Sequence, residues 1–174
     1  MSDLSYPIGK FTPPSEYTVE GRAAAIRQIK EAPALVRQAV HQLTASQLLT
    51  PYRDDGWTVA QVVHHLADAH INGYVRFKWA LTEERPAIKL YDQVQWATLP
   101  DATAADIDDS LRLLEVVHAR WGRSFDAMTA ADFSRELIHP VRGPETLDRH
   151  VALYAWHGHH HAAHITSLRA RMGW

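Results

Sequence analysis

Five of the twelve histidines in this chain lie within eight residues near its C-terminus. They are His157, His159, His160, His161 and His164. Neutral imidazole is the commonest protein ligand for metal ions, and residues four apart on a helix share a face. If this segment is helical, it therefore carries at least one pair of metal ligands.

A helical wheel separates these histidines. Each residue advances about 100° around the axis, so with His157 at zero, His161 falls near +40°, His164 near −20° and His160 near −60°. The apolar residues of the segment span roughly −40° to +80° on this wheel and indicate the buried face. They are Leu153, Tyr154, Ile165, Leu168 and Met172.

The wheel predicts that His157, His161 and His164 face the interior. His160 should lie at the edge of the buried face, and His159 should point to solvent. Two i,i+4 pairs compete as metal ligands, His157/His161 and His160/His164, and the first is better centred on the buried face. We therefore prefer the first pair.

The competing interpretation is a polar patch, or core histidines that each make an ordinary hydrogen bond. Three buried imidazoles without a common partner would cost about 1–3 kcal/mol for each group left unpaired. A metal ion removes that cost by coordinating two of them. The cluster therefore favours a metal site over three unrelated core histidines.

A second predicted helix offers three candidates for a third ligand, His64, His65 and His70. Its apolar stripe consists of Val59, Val62, Val63, Leu66, Gly73, Phe77 and Leu81. His64 falls on the far side of the wheel, His70 lies within the stripe, and His65 lies just past its edge. Spacing alone does not choose between His65 and His70, and the one that is not a ligand should be a core or rim histidine.

Four residues are candidates for a pocket beside the metal. Asn72 and Arg76 follow His65 on the same side of the second helix, in a mixed polar row that suits a pocket wall. Tyr91 lies in a long loop after this helix, and His164 lies one turn beyond His161. The sequence does not identify a general base among them.

Apolar residues at helical spacing predict four long helices, at about residues 20–43, 58–82, 103–128 and 146–172. Pro33 should kink or break the first of them. In the second, Thr58 and Gln61 have the spacing of a capping box, and Gly173 should end the fourth.

The remaining segments read as connections. Residues 1–17 should form an extended leader over the body, residues 84–102 a long loop that covers a site, and residues 129–145 an irregular connection. No segment alternates convincingly between apolar and polar residues. The prediction is an all-α fold, a four-helix bundle with long connecting loops, as a single domain spanning residues 1–174.

Composition narrows the classes of function. The chain has no cysteine, which excludes disulfides and thiolate ligands, so a metal would be held by histidine, carboxylate or water. A formal net charge of −2 gives no electrostatic reason to expect nucleic acid or an anionic membrane as a partner. The N-terminus lacks the features of a signal peptide, and we expect a cytoplasmic location.

The chain also resembles a known family, the DinB/YfiT-like metalloenzymes, and most closely its YfiT type. The likeness extends over nearly the whole chain and is specific at both histidine segments. It is carried by residues 52–72, which read YRDDGWTVAQVVHHLADAHIN, by residues 153–165, which read LYAWHGHHHAAHI, and by shorter matches at 76–78, 81–86 and 171–174.

The resemblance implies a four-helix bundle that holds one divalent metal, nickel or zinc, on three histidines. They map to His65, immediately before Leu-Ala-Asp, and to His157 and His161. His164 is a departure, because many members of the family have glutamine at that position. The resemblance also implies a homodimer.

Three protein ligands with open positions are typical of a catalytic metal. The first expectation is a metal-dependent hydrolase in which the metal activates water against a small-molecule substrate. An alternative is a transferase that uses a low-molecular-weight thiol such as bacillithiol, with the metal stabilising the thiolate. A second alternative is a metal-binding module without turnover, whose site should be closed rather than open to a cavity.

Overall fold

The computed structural model describes residues 3–104 and 106–174. Within these residues, four long helices carry the fold, with four single-turn helices and one hairpin between them. In chain order the elements are α1 Val19–Val40, α2 Ala45–Leu48, α3 Val59–Thr82, α4 Gln93–Trp96, α5 Pro100–Thr103, α6 Ile107–Asp126, α7 Ala130–Phe133, β1 Glu136–His139, β2 Gly143–Thr146 and α8 Leu147–Met172. The predicted all-α four-helix bundle is confirmed, with a small two-stranded sheet added to it.

The long helices pack as a closed ring. α1 packs against α6 and α8, and α3 packs against the same two helices. The first and second long helices therefore lie diagonally across the bundle, as do the third and fourth, with α1 opposite α3 and α6 opposite α8. This order places α3 and α8, the two histidine-rich helices, side by side. None of the helices in the described ranges is long and apolar enough to cross a membrane.

The helix ends follow their local sequence signals. Thr58 and Gln61 form the predicted capping box, in which Gln61 N donates to Thr58 Oγ1 (3.2 Å) and Thr58 N donates to Gln61 Oε1 (3.0 Å). Gly173 ends α8 in the left-handed conformation at φ 72°. α6 starts later than predicted, because Asp106 caps it by accepting a hydrogen bond from Asp108 N at 2.9 Å.

Pro33 does not break α1, which is continuous through it. Proline has no N–H, so the carbonyl oxygen of Ile29, four residues earlier, lacks its helical donor. His118 on α6 supplies another donor, because its Nδ1 lies 2.5 Å from that oxygen. A tertiary hydrogen bond thus replaces the bond that the proline removes.

Two apolar clusters fill the bundle, one towards each end. The first includes Val36, Leu66, Leu114 and Ile165, and the second includes Ile29, Phe77, Trp121 and Leu147. The side chains of His70, His118, His157 and His161 belong to neither cluster. Each of them falls between the two clusters along its own helix, so the core contains a layer of histidines between two apolar layers.

The predicted connections contain more regular structure than their sequence indicates. The loop at 84–102 includes α4 and the start of α5, and the connection at 129–145 includes α7 and most of the β1–β2 hairpin. The strands pair antiparallel, with Glu136 opposite Thr146 and His139 opposite Gly143. The prediction that this segment is irregular was wrong, because strands of four residues are too short to show a clear alternation.

Candidate metal centre

Three histidines converge where α3 lies against α8. One ring nitrogen from each of His65, His157 and His161 lies within 4.8 Å of the others. Ligands that share one ion through bonds of about 2.1 Å lie about 3–4 Å apart. Only small movements of the rings would bring these three nitrogens to coordination distance, so the group fits a divalent metal.

The electrostatics of the group favour the form that binds metal. Burial, with a smaller contribution from the neighbouring histidines, lowers the pKa of His65 to about 4. The same two causes hold the pKa values of His157 and His161 well below the usual value. The three rings are therefore neutral at pH 7, and neutral imidazole is the ligand form.

His70, the other candidate for the third ligand, lies between His118 and His157 and outside the group of three. Its Nδ1 is 2.8 Å from Nε2 of His118, and its Nε2 is 3.1 Å from Nδ1 of His157. Both ring nitrogens of His70 are thus engaged by other histidines. His70 is a fully buried core histidine that contacts a candidate ligand without joining the group of three.

The competing pair on α8 also comes together. Ring nitrogens of His160, His161 and His164 lie within 4.8 Å of one another. His164 makes two hydrogen bonds, between its Nδ1 and Nδ1 of His161 (3.2 Å) and between its Nε2 and the carbonyl oxygen of Ser5 (3.1 Å). The predicted leader over the body is thus attached directly to the histidine cluster.

Three histidines are more buried than the wheel indicates. His160 is buried rather than at an edge, because its ring stacks on Trp156 with centroids 4.3 Å apart. His159 is half-buried rather than fully in solvent. His64 is buried on the side of α3 that meets α6, where its Nδ1 lies 2.8 Å from Ser110 Oγ.

A cavity of about 610 Å³ opens onto the three candidate ligands. Its other walls come from the leader, from the segment before α3, from α4 and from α8. They include Ser5, Tyr6, Tyr52, Arg53, Trp57, Gln93, Trp156, His160 and His164. The expectation that the 84–102 segment covers a site is supported, because Gln93 and Val94 lie in this wall.

The cavity lining is mainly aromatic, and its charged residues are Arg53 and Asp55. Arg53 is the only lysine or arginine among its described lining residues. Its Nε donates to Tyr52 Oη at 3.2 Å and its Nη1 to the carbonyl oxygen of Asp54 at 2.8 Å. These bonds hold the guanidinium beside Tyr52, whose ring in turn stacks on His164 with centroids 4.1 Å apart.

The four predicted pocket residues divide between two cavities. His164 lines the histidine cavity. Asn72, Arg76 and Tyr91 line a neighbouring one of about 380 Å³, where burial raises the pKa of Tyr91. The structure therefore does not bring these three together with the histidines, and a catalytic role for them stays a prediction.

Several residues of the histidine cavity were not singled out from the sequence. Tyr52, Arg53 and Trp57 lie in a segment that carries the family resemblance, so that segment contained a usable signal. Ser5 and Tyr6 had none, since they precede the first helix and reach the cavity only through the fold.

The fold and the centre define a class of protein, a four-helix bundle with a candidate histidine metal site on two adjacent helices. The DinB superfamily profile matches residues 28–165, and the chain belongs to that superfamily. The chain is 50% identical over 173 residues to YfiT of Bacillus subtilis (strain 168), covering 99% of this chain and 97% of that protein. It is also 50% identical over 176 residues to a protein of Geobacillus thermodenitrificans (strain NG80-2), covering 100% and 98% of the two chains.

Both relatives are named provisionally as metal-dependent hydrolases. The solved structure of Bacillus subtilis YfiT superposes on this chain with a TM-score of 0.95 at 50% identity, covering 98% of each chain. That protein is described as having an unusual four-helix bundle topology. The predicted resemblance to the YfiT type is therefore confirmed.

Proposed function

We propose that this protein is a metal-dependent hydrolase of a small molecule, with one divalent metal, nickel or zinc, held by His65, His157 and His161. The observation that carries the proposal is the convergence of three neutral imidazoles on the wall of an open cavity. Imidazole ligands suit both metals. The provisional names of the relatives agree with this reaction class.

The ligand set supports catalysis rather than storage. Three protein ligands leave at least one coordination position for water or substrate. When bound in such a site, a divalent metal supplies Lewis acidity that lowers the pKa of water to about 7. A sequestering module should have a closed site, whereas the cavity here has room for a small molecule.

The other walls of the cavity suggest how a substrate would be held. Tyr6, Trp57 and Trp156 offer apolar surface for its body. Arg53 is the one cation of the described lining and would bind a carboxylate or another anionic group, and Asp55 is the one carboxylate. A small molecule with an apolar portion and a polar or charged group is the substrate class that fits these walls.

The test begins with protein purified without a histidine tag and loaded with zinc or nickel. A panel of small esters, amides and lactones, in anionic and neutral pairs, is then assayed with the wild type, His161→Ala and His159→Ala. Activity should be lost in His161→Ala and retained in His159→Ala, which lies on the same helix outside the ligand group. Equal loss in both variants would contradict the ligand assignment.

A parallel assay with a low-molecular-weight thiol and monochlorobimane tests the transferase alternative. Transfer above the uncatalysed rate, together with no hydrolysis across the panel, would replace the hydrolase proposal. Saturable metal binding without turnover in either assay would leave a metal-binding module. The homodimer and the cytoplasmic location stay predictions from the sequence.

A further inference from the structure

The candidate ligand His157 stands at the end of a chain of buried histidines. The chain begins at the carbonyl oxygen of Ile29, which Pro33 leaves without a helical donor. This oxygen can only accept a hydrogen bond, so Nδ1 of His118, 2.5 Å away, carries the hydrogen. In a neutral imidazole the other nitrogen then has a lone pair, which makes Nε2 of His118 an acceptor.

The next two bonds follow in the same direction. Nδ1 of His70 lies 2.8 Å from the accepting Nε2 of His118, so it must carry a hydrogen. Nε2 of neutral His70 is then an acceptor, and Nδ1 of His157, 3.1 Å away, donates to it. The lone pair of His157 is therefore on Nε2.

A second chain reaches His161 from the opposite end of the sequence. The carbonyl oxygen of Ser5 can only accept, so Nε2 of His164, 3.1 Å away, carries the hydrogen. Nδ1 of His164 then accepts, and Nδ1 of His161 donates to it across 3.2 Å. The lone pair of His161 is also on Nε2.

Both chains thus produce the same result on α8. In each ligand Nδ1 carries a hydrogen bonded to another histidine, and Nε2 has no hydrogen-bond partner among the described residues. A metal-binding histidine usually donates its second N–H to a carboxylate, a carbonyl or water, which fixes the ring and its tautomer. Here neutral histidines stand between the ligand and the terminal carbonyl, so the outer partners bring no negative charge to the centre.

We infer that His70 and His164 are positioning residues, which hold His157 and His161 as Nδ1–H tautomers with Nε2 directed to the metal. The inference rests on the proposed metal site, since it assigns roles towards that site. The wall of the site is thereby ordered before any metal arrives. The sequence separations are 87 residues for His70 and His157 and 159 for Ser5 and His164, so the fold itself sets both tautomers.

The first experiment needs no metal. Long-range ¹H–¹⁵N correlation spectra of histidine side chains distinguish Nδ1–H from Nε2–H tautomers in the metal-free full chain. Wild-type His157 and His161 should both be Nδ1–H. An Nε2–H tautomer at either residue would overturn the inference for the series of hydrogen bonds that ends at that residue, whether or not the protein binds metal.

Variants then test the two chains of hydrogen bonds separately. In His70→Leu the tautomer of His157 should change while that of His161 is kept, and His164→Leu should give the reverse. His164→Gln should restore His161, because an amide oxygen can accept from Nδ1–H. His150→Leu is the control, since His150 is a buried histidine bonded to the carbonyl oxygen of Gly73 outside both chains. If His150→Leu changes both tautomers as strongly, a general packing effect explains the result and the inference fails.

Metal affinity is the second readout. Competition titrations with zinc should show a Kd about 10–100 times higher in His70→Leu and His164→Leu than in wild type. The His164→Gln and His150→Leu variants should stay close to wild type. Unchanged zinc affinity in both His70→Leu and His164→Leu would mean that neither histidine has a role in metal binding.

The number of metal ions bound per chain distinguishes the inference from a rival arrangement, in which a second metal binds to His160, His161 and His164. That arrangement would use both nitrogens of His161 as ligands and displace the hydrogen bond to His164. One metal per chain supports the inference, and two would overturn it for His161. Failure of the proposed function looks different, since the wild-type tautomers would then be as stated while no metal binds.

Discussion

His118 donates its Nδ1 hydrogen to the carbonyl oxygen of Ile29, 2.5 Å away on α1. The bond joins α6 to α1 at the point where Pro33 removes a helical donor. A proline that the sequence predicts to kink or break the helix is thus accommodated by a histidine from another helix. The same histidine begins the chain that ends at His157.

This relationship predicts an energetic coupling between His118 and Pro33. His118→Leu should lower the free energy of unfolding by about 1–3 kcal/mol, because the buried Ile29 carbonyl and Nδ1 of His70 lose their partners. Pro33→Ala restores an N–H that can donate to the Ile29 carbonyl. The double variant should therefore recover part of the loss beyond the effect of Pro33→Ala alone.

Denaturant unfolding of the wild type, both single variants and the double variant measures this coupling. The single Pro33→Ala variant is the necessary control, because alanine also raises intrinsic helix stability. A coupling of at least about 0.5 kcal/mol is expected for two groups that share one partner. Strict additivity would mean that His118 does not compensate for the proline.

The buried histidines also predict that stability falls in mild acid. Burial is the main cause that lowers the pKa values of His118 and His150 from 6.5 to about 4. Between those two pH values the unfolded chain binds more protons than the folded chain, so stability rises with pH. The contribution is fully present above about pH 6.5 and is lost as pH falls towards 4. Asp68 acts in the opposite sense, since burial and Asp101 raise its pKa to about 6, but it is a single group.

Thermal unfolding of the metal-free protein tests this sign. Between about pH 7.5 and about pH 5, Tm should fall by on the order of 10 °C. His150→Gln should show a shallower fall, because one group with a lowered pKa has been removed. A Tm that is flat or rises towards pH 5 would show that the carboxyl groups dominate.

Much of the bundle follows from local sequence signals. The helix start at Thr58 and the end at Gly173 depend on residues within one turn, and the pairing of His157 with His161 depends only on helical periodicity. Such features can be predicted from a short stretch of sequence. The four-residue strands β1 and β2 lack enough residues for a comparable signal.

The residues that bond to the candidate ligands from outside the group of three could not be predicted from local sequence signals. His70 appeared as a rival ligand because its position on the wheel does not reveal that His118 and His157 engage both its nitrogens. Ser5 reaches His164 through a backbone carbonyl, which carries no side-chain signal at all. These contacts depend on how α6, α8 and the leader assemble, and periodicity within one helix contains no information about that.

Two helical glycines differ in the cost of adding a methyl group. A Cβ on Gly73 would lie within 3 Å of three ring atoms of buried Tyr154. The three heavy atoms nearest to a Cβ on Gly122 all belong to the flexible side chain of Lys30, the closest at 3.1 Å. Gly73→Ala should therefore lower stability by about 1–3 kcal/mol through overpacking. Gly122→Ala should be neutral or gain up to about 1 kcal/mol from helix propensity.

Denaturant midpoints of the two glycine variants give a matched comparison, because both replace glycine by alanine inside a long helix. Tyr154 also contacts the ring of His70, with centroids 5.1 Å apart, so Gly73→Ala should disturb the histidine layer as well. Zinc affinity should fall in Gly73→Ala and not in Gly122→Ala. Equal stability of the two variants would mean that α3 and α8 are not held at this close approach.

Metal binding itself should stabilise the folded chain through the three histidines. At a free zinc concentration of about 1,000 times Kd, binding to the folded state alone adds about 4 kcal/mol. For a chain of this size that corresponds to a rise in Tm of about 8–16 °C. The rise should disappear in His65→Ala, which removes the one proposed ligand on α3, and persist in His159→Ala. A rise that survives in His65→Ala but disappears in His160→Ala would instead place the metal at the second histidine group, because only that group would then be intact in the first variant and broken in the second.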